Sequence, residues 1–433
     1  MSWRSLKRSM VGLDDIVITG VGCVSSIGIG RAALQSALLQ GESGIRPHLS
    51  LNDDVKTTYL SAPVLDFDGK KFVTPRKAIK VMSREVQMAY SAARLAWEDA
   101  GIENGMVAPE RMGVIYGSEI IPGDHAELAG AVKASRYNDR FQASRWGEVF
   151  GKEVFPLWML RNLPNMPACH VGIAIDARGP NNTIAQEEVS GLLALSESIA
   201  IIERGAADMM VVGGVGNRVT PPRMSFRVQR LYHQQPEDEV SDQGCPPFSS
   251  QSRGIVGAEG SAAIVIERRS HAVKRGATVL GTVLACTSRC GTPSKSYAGS
   301  KEAIASAAAA VLSQAAVDVS DLNHVCSQGF AEANLDQTEA MAIADVVGDQ
   351  VPITAVSSYL GTAGAACGMM ELVGSLLTLN AGRSLPIHGW REPPQGYAVQ
   401  VLKDSAQAST ASCFLKTSQT PFGHAAAAVV RVG

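Results

Sequence analysis

Glu187 and Glu188 stand side by side at a place where chemistry is often done. They follow a short extended run, Asn182 to Ala185, and precede a small-residue segment, Ser190-Gly191-Leu192-Leu193-Ala194-Leu195-Ser196. The pattern reads as strand, sharp turn and helix. Backbone N–H groups and the helix dipole converge at such a turn, so it suits a nucleophile, an oxyanion or a carboxylate. Three roles are open to Glu188. It can be a carboxylate satisfied at a helix N-terminus, which the dipole favours by roughly 0.3–1 kcal/mol. It can be a gatekeeper that closes a pocket or pairs with a partner subunit. It can also be a carboxylate nucleophile.

The elements around this turn alternate in type. Asp15 to Gly22 (DIVITGVG) reads as a buried strand and a glycine turn, without the full spacing of a dinucleotide loop. Helical periodicity spans Gly30–Gly41 and Lys80–Gly101, with a strand at Arg111–Gly117. Ser118 to about Leu163 is irregular and rich in aromatic and charged residues. Strands follow at Ala207–Gly214 and Ser261–Arg268. A second series has strands at Val279–Cys286, His324–Gln328 and Pro352–Ser357, helices at Lys301–Gln314 and Ala366–Asn380, and closing strands at Ala398–Leu402, Ala411–Leu415 and Ala427–Val432. Two successive runs of strand and helix argue a duplicated α/β architecture. The divisions are an extension over 1–14, a first half over 15–267 with an insertion at about 118–165, and a second half over 268–433.

Composition narrows the function. The 433 residues are 45% hydrophobic and 18% charged, which supports a large core. A formal net charge of −2 gives no basic excess for nucleic acid. Eight scattered cysteines form no Cys-x-x-Cys pair, and eight dispersed histidines show no metal-ligand spacing. No apolar run reaches the length of a membrane span, and residues 1–14 lack the apolar centre of a signal peptide. A cytoplasmic protein without metal or cofactor is expected.

Gly179, Pro180, Ile184, Ser190 and Gly191 together resemble the nucleophile turn of the β-ketoacyl-acyl-carrier-protein synthases, G-P-x-x-x-I-x-x-x-C-x-S-G. Glu188 occupies the cysteine position. Pro247 to Gly260 is similar to that family's P-F-D-x-x-R-D-G-F-V-x-G-E-G, with Glu259 kept in a structural role. Ser327 to Glu339 resembles A-H-G-T-S-T-x-x-x-D-x-x-E, with Gln328 at the first histidine. Ser357 to Gly368 resembles the segment carrying the second histidine and its lysine, with Thr362 at the histidine and Ser357 at the lysine. Phe422, Gly423 and His424 match the C-terminal oxyanion and gating loop.

The resemblance covers nearly the whole chain and implies the thiolase-like fold, duplicated α/β halves in a five-layered αβαβα core. It implies an acyltransferase by family. In such enzymes a thiolate holds the acyl chain, two imidazoles stabilise the enolate left by decarboxylation, and an oxyanion hole receives the developing charge. An oxyanion donor contributes about 10²–10³ in rate and a general acid/base about 10²–10⁴. Replacing thiol, both imidazoles and lysine together removes the condensing machinery. The expectation is a non-catalytic subunit like a chain-length factor, paired with an active synthase as a homo- or heterodimer and served by acyl carrier protein. The alternative is an acyl-carrier-protein-dependent acyltransferase with a site rebuilt around Glu188.

Overall fold

The computed structural model describes residues 12, 14–48, 57–103, 105–121, 123, 125–219, 229–233, 235–236, 245–394, 397, 399–404 and 411–433. Ten strands form its main ladder: β1 (Ile16–Ser25), β2 (Met112–Gly117), β3 (Asn181–Ile184), β4 (Met209–Asn217), β5 (Gly257–Arg268), β6 (Gly281–Cys290), β7 (Leu322–Cys326), β8 (Ile353–Thr354), β9 (Cys413–Gln419) and β10 (His424–Val432). Their spatial order is β8-β7-β9-β10-β6-β1-β5-β4-β2-β3. Each half repeats one plan. The strands run 3-2-4-5-1 in space, with two parallel pairings followed by two antiparallel ones. Antiparallel pairing of Ile16 to Ile18 with Gly281 to Val283 joins the halves.

Two buried helices fill the space between the five-stranded units: α7 (Ser190–Glu203) and α12 (Cys367–Asn380). To reach them in chain order, the earlier helices are α1 (Arg31–Gln40), α2 (Arg84–Asp99), α3 (His125–Ala134), α4 (Ala143–Glu153), α5 (Trp158–Arg161) and α6 (Met166–Ala174). Those between them are α8 (Arg269–Lys274), α9 (Lys301–Ala315), α10 (Ala333–Val347) and α11 (Ser357–Leu360). Every residue of α12 from Cys367 to Leu379 is buried, as expected of a helix apolar on all sides. Leu192, Leu195, Met369, Leu372 and Leu376 pack there with Ile18, Ile264, Ala426 and Ala428. One outer layer is α2 and α6, whose Ala92, Ala96 and Val171 pack on Val114, Val211 and Val265. The opposite outer layer is α9 and α10, whose Ala307, Val311 and Ile343 pack on Val325, Leu415 and Val429. Five layers result.

Three sequence expectations change. Gly20 and Gly22 do not form a turn, because β1 runs through them to Ser25. A Cβ at Gly22 would lie 2.1 Å from the carbonyl oxygen of Ala92, so these glycines let α2 lie close against the strand. The segment after Ser118 is not irregular but carries α3, α4, α5 and a two-residue hairpin. Residues 398–402 form no strand among the described residues, only a bridge from Val401 to Ile353. Among the described residues, no helix is long and apolar enough to cross a membrane.

Candidate active site

The turn after β3 is built by Ser190. Its Oγ accepts from the Gln186 N–H (2.8 Å) and donates to the Glu187 carbonyl (2.6 Å). Glu187 takes φ +53°, uncommon for a residue with a Cβ. A single 3-10 turn, Glu187–Val189, then feeds α7. This geometry sends the Glu188 side chain inward, where it is 1% exposed.

Glu188 Oε1 meets Arg218 Nη1 at 2.8 Å, while Oε2 makes no hydrogen bond among the described residues. Arg218 follows β4. It also donates from Nη2 to Glu119 Oε2 (2.7 Å) and from Nη1 to the Tyr232 hydroxyl (3.0 Å). All four side chains are buried. Burial works against the Arg218 charge, but Glu119, Tyr232 and Glu188 outweigh it and hold its pKa well above the usual range. Burial pushes Tyr232 up to about 12. Glu188 is thus one member of a buried ion-pair network centred on Arg218.

A second polar cluster lies across the centre. The N–H groups of Gln328 and Gly329 donate to the Glu339 carboxylate at 2.8 and 3.0 Å. Asp336 receives the N–H groups of Phe330 (2.8 Å) and Phe248 (2.9 Å). These bonds fix the loop after β7. The Gln328 side chain donates to Glu371 Oε1 at 3.1 Å, and Lys416 Nζ sits 2.5 Å from Glu371 Oε2. Burial raises Glu371 to about 7 despite Lys416. Lys416 is itself raised, its burial outweighed by Glu371. A glutamine amide in this place donates a hydrogen bond but cannot exchange a proton as imidazole does.

Ser357 donates to the Gly329 carbonyl at 2.7 Å. Thr362 is buried, and its backbone is bonded to Val256 (2.8 Å) and Ala258 (3.0 Å). The lysine of this centre, Lys416, therefore comes from β9. Cys326 and Cys367 lie nearby, but burial raises Cys326 to about 11 and Cys367 well above its ordinary value. Thiols so held stay protonated and unreactive.

In the C-terminal loop, the N–H groups of Phe422, Gly423 and His424 all turn to Thr420, at 3.3, 3.2 and 3.2 Å. Gly423 has φ +95°, and a Cβ there would lie 2.1 Å from the Gly291 carbonyl. Phe422 is 44% exposed and packs edge-on against Tyr297. His424 meets the side-chain amide of Gln186 through Nδ1. Glu259 receives Val64 N–H (3.0 Å), Arg84 (2.8 Å) and Asn217 (3.1 Å), so it ties together three segments of the first half.

The sequence reading missed Arg218, Glu119, Tyr232, Glu371 and Lys416. Lys416 carried a usable signal, a cation inside the apolar strand pattern Cys413-Phe414-Leu415. Glu119 and Tyr232 carried none, because only the fold brings them to Arg218.

Fold and motifs together define a thiolase-type acyl-transfer scaffold. Residues 13–272 match the family model "Beta-ketoacyl synthase, N-terminal domain", and residues 280–389 match "Beta-ketoacyl synthase, C-terminal domain". The chain belongs to the β-ketoacyl synthase family and is a homologue of fatty-acid or polyketide synthases. It is 27% identical over 402 residues to 3-oxoacyl-[acyl-carrier-protein] synthase 2 of Coxiella burnetii, covering 90% of this chain and 92% of that one. It is 26% identical over 383 residues to the oxytetracycline polyketide putative β-ketoacyl synthase 1 of Streptomyces rimosus, covering 87% and 88%. Among solved structures, the ishigamide ketosynthase/chain length factor matches with TM-score 0.84 at 21% identity, covering 97% of this chain and 99% of that one. A type II polyketide ketosynthase in complex with its acyl-carrier protein matches with TM-score 0.79 at 22% identity, covering 97% and 100%.

Proposed function

We propose that this protein is a non-condensing member of its family, a subunit like a chain-length factor that pairs with an active synthase served by acyl carrier protein. The observation that carries the reading is Glu188. It stands at the nucleophile turn, buried and ion-paired to Arg218, where condensation needs a thiolate. Supporting it, Gln328 and Thr362 stand at the two imidazole positions of the family pattern, and Ser357 at the lysine position. The thiolase-like halves 15–267 and 268–433 remain as a framework for assembly, since an interface can outlast the chemistry beside it.

The alternative, acyl transfer through Glu188, draws on the oxygen Oε2, which makes no hydrogen bond among the described residues. Arg218 on the other oxygen opposes it, because an ion-paired carboxylate is a poorer nucleophile. Purified protein incubated with acyl- and malonyl-carrier protein separates the two. The expected result is no carbon dioxide release, no condensation product and no mass adduct on the peptide containing Glu188. Glu188→Cys is expected to restore neither decarboxylation nor condensation, because the imidazole positions stay empty of histidine. An acyl adduct on the Glu188 peptide that disappears in Glu188→Gln would overturn the subunit reading.

A further inference from the structure

The contact between Gln328 and Glu371 leaves two acceptors idle. Gln328 Nε2 donates to Glu371 Oε1 at 3.1 Å. The other oxygen of each group, Gln328 Oε1 and Glu371 Oε2, makes no hydrogen bond among the described residues, although both side chains are buried. An ionised carboxylate only accepts, so neither oxygen can satisfy the other while Glu371 is an anion. Buried acceptors without donors cost stability. One proton on Glu371 changes this. A carboxylic acid facing a carboxamide can close a ring of two hydrogen bonds, N–H to one oxygen and O–H to the other.

The surrounding charges place the proton on the same residue. Glu371 faces Lys416 from β9, Glu339 from α10, Glu188 from the turn before α7, Cys326 from β7 and Cys367 on its own helix. Four buried carboxylates, Glu119, Glu188, Glu339 and Glu371, share two buried cations, Arg218 and Lys416, among the described residues. Glu119 and Glu188 are both paired to Arg218. Glu339 receives the N–H groups of Gln328 and Gly329, the Thr417 hydroxyl and the Gln419 amide. Glu371 has one amide and Lys416, whose Nζ also turns to the Thr417 carbonyl. An under-compensated buried carboxylate neutralises itself by taking a proton. Burial accordingly raises Glu371 to about 7 against the pull of Lys416.

We propose that Glu371 shares a proton with Gln328 Oε1, and that this proton makes the tie between α12 and the loop after β7 a pH-sensitive latch. The folded protein holds the proton more tightly than the unfolded chain does. Its contribution to stability is therefore full below the usual carboxylate range and is lost as pH rises through neutrality. Above neutrality Glu371 is an anion, Gln328 Oε1 has no donor from it, and the loop keeps only its backbone bonds to Glu339 and Asp336 and the Ser357 hydroxyl.

The test has two arms on the full chain. In the first, infrared difference spectra are taken between pH 5.5 and 8.5. A protonated-carboxyl stretch is expected to fade as the pH rises, to be absent in Glu371→Gln and to persist in Glu188→Gln. In the second, thermal melts cover the same range. The wild-type melting temperature is expected to fall by a few degrees relative to Glu371→Gln, whose amide cannot ionise. A wild-type spectrum without a fading carboxyl band would overturn the proposal, and that measurement stands even where Glu371→Gln does not fold. A band that vanishes in Glu188→Gln instead would assign the proton elsewhere and overturn it too. Parallel melting profiles for wild type and Glu371→Gln would remove the latch.

Discussion

At the residue scale, the decisive feature is charge buried at the turn that opens α7. Arg218 touches Glu188, Glu119 and Tyr232, and each is nearly free of solvent. Such a network stabilises little against an apolar filling but costs heavily when one partner is removed, about 3–5 kcal/mol for a broken buried pair. Arg218→Met, close in volume and uncharged, leaves two carboxyl groups buried without their cation. A loss of that order in urea unfolding is expected. Adding Glu119→Gln and Glu188→Gln to Arg218→Met removes the stranded charges and is expected to recover much of it. A single variant as stable as the wild type would show that the network carries no such strain.

At the element scale, the close contact of β1 with α2 depends on glycine. A Cβ at Gly22 would meet the Ala92 oxygen at 2.1 Å and the Ala96 nitrogen at 2.4 Å, both backbone atoms that cannot swing aside. Gly22→Ala is expected to cost about 1–3 kcal/mol by overpacking. Gly147, inside α4 with open space around it, gives the contrast. Gly147→Ala is expected to stabilise by roughly 0.5–1 kcal/mol through helix propensity. Thermal melts of the two variants should move in opposite directions. The run DIVITGVG shows how such elements mislead in sequence. Its apolar residues announced a strand, but its glycines imitated a turn, because the helix that needs them lies some seventy residues further on.

At the scale of the whole molecule, β3 is the last strand of the ladder, with only β2 beside it among the described residues. Ile173 on the neighbouring α6 is 76% exposed and Ile120 is 63% exposed. An open strand edge beside exposed apolar side chains is a place where chains pair. This surface suits the pairing in the proposed subunit reading. Ile173→Asp is expected to shift sedimentation from dimer to monomer while the melting temperature stays within a few degrees. A wild-type chain that sediments as a monomer, alone and with a synthase partner, would sink that assignment.

Some of this was fixed locally and some was not. Periodicity alone located the helices at Lys301 and Lys80 to within a few residues, because burial of one face is a local pattern. The motif frame around Gly179 and Gly191 marked Glu188 as the residue in the nucleophile's place, since a strand–turn–helix is written in consecutive residues. What surrounds Glu188 was decided by tertiary structure. Arg218 arrives from the end of β4, Glu119 from the segment after β2, and Lys416 from β9 across the central layer. Burial then sets the chemistry of each group, and no residue's burial is legible until the layers that cover it have assembled.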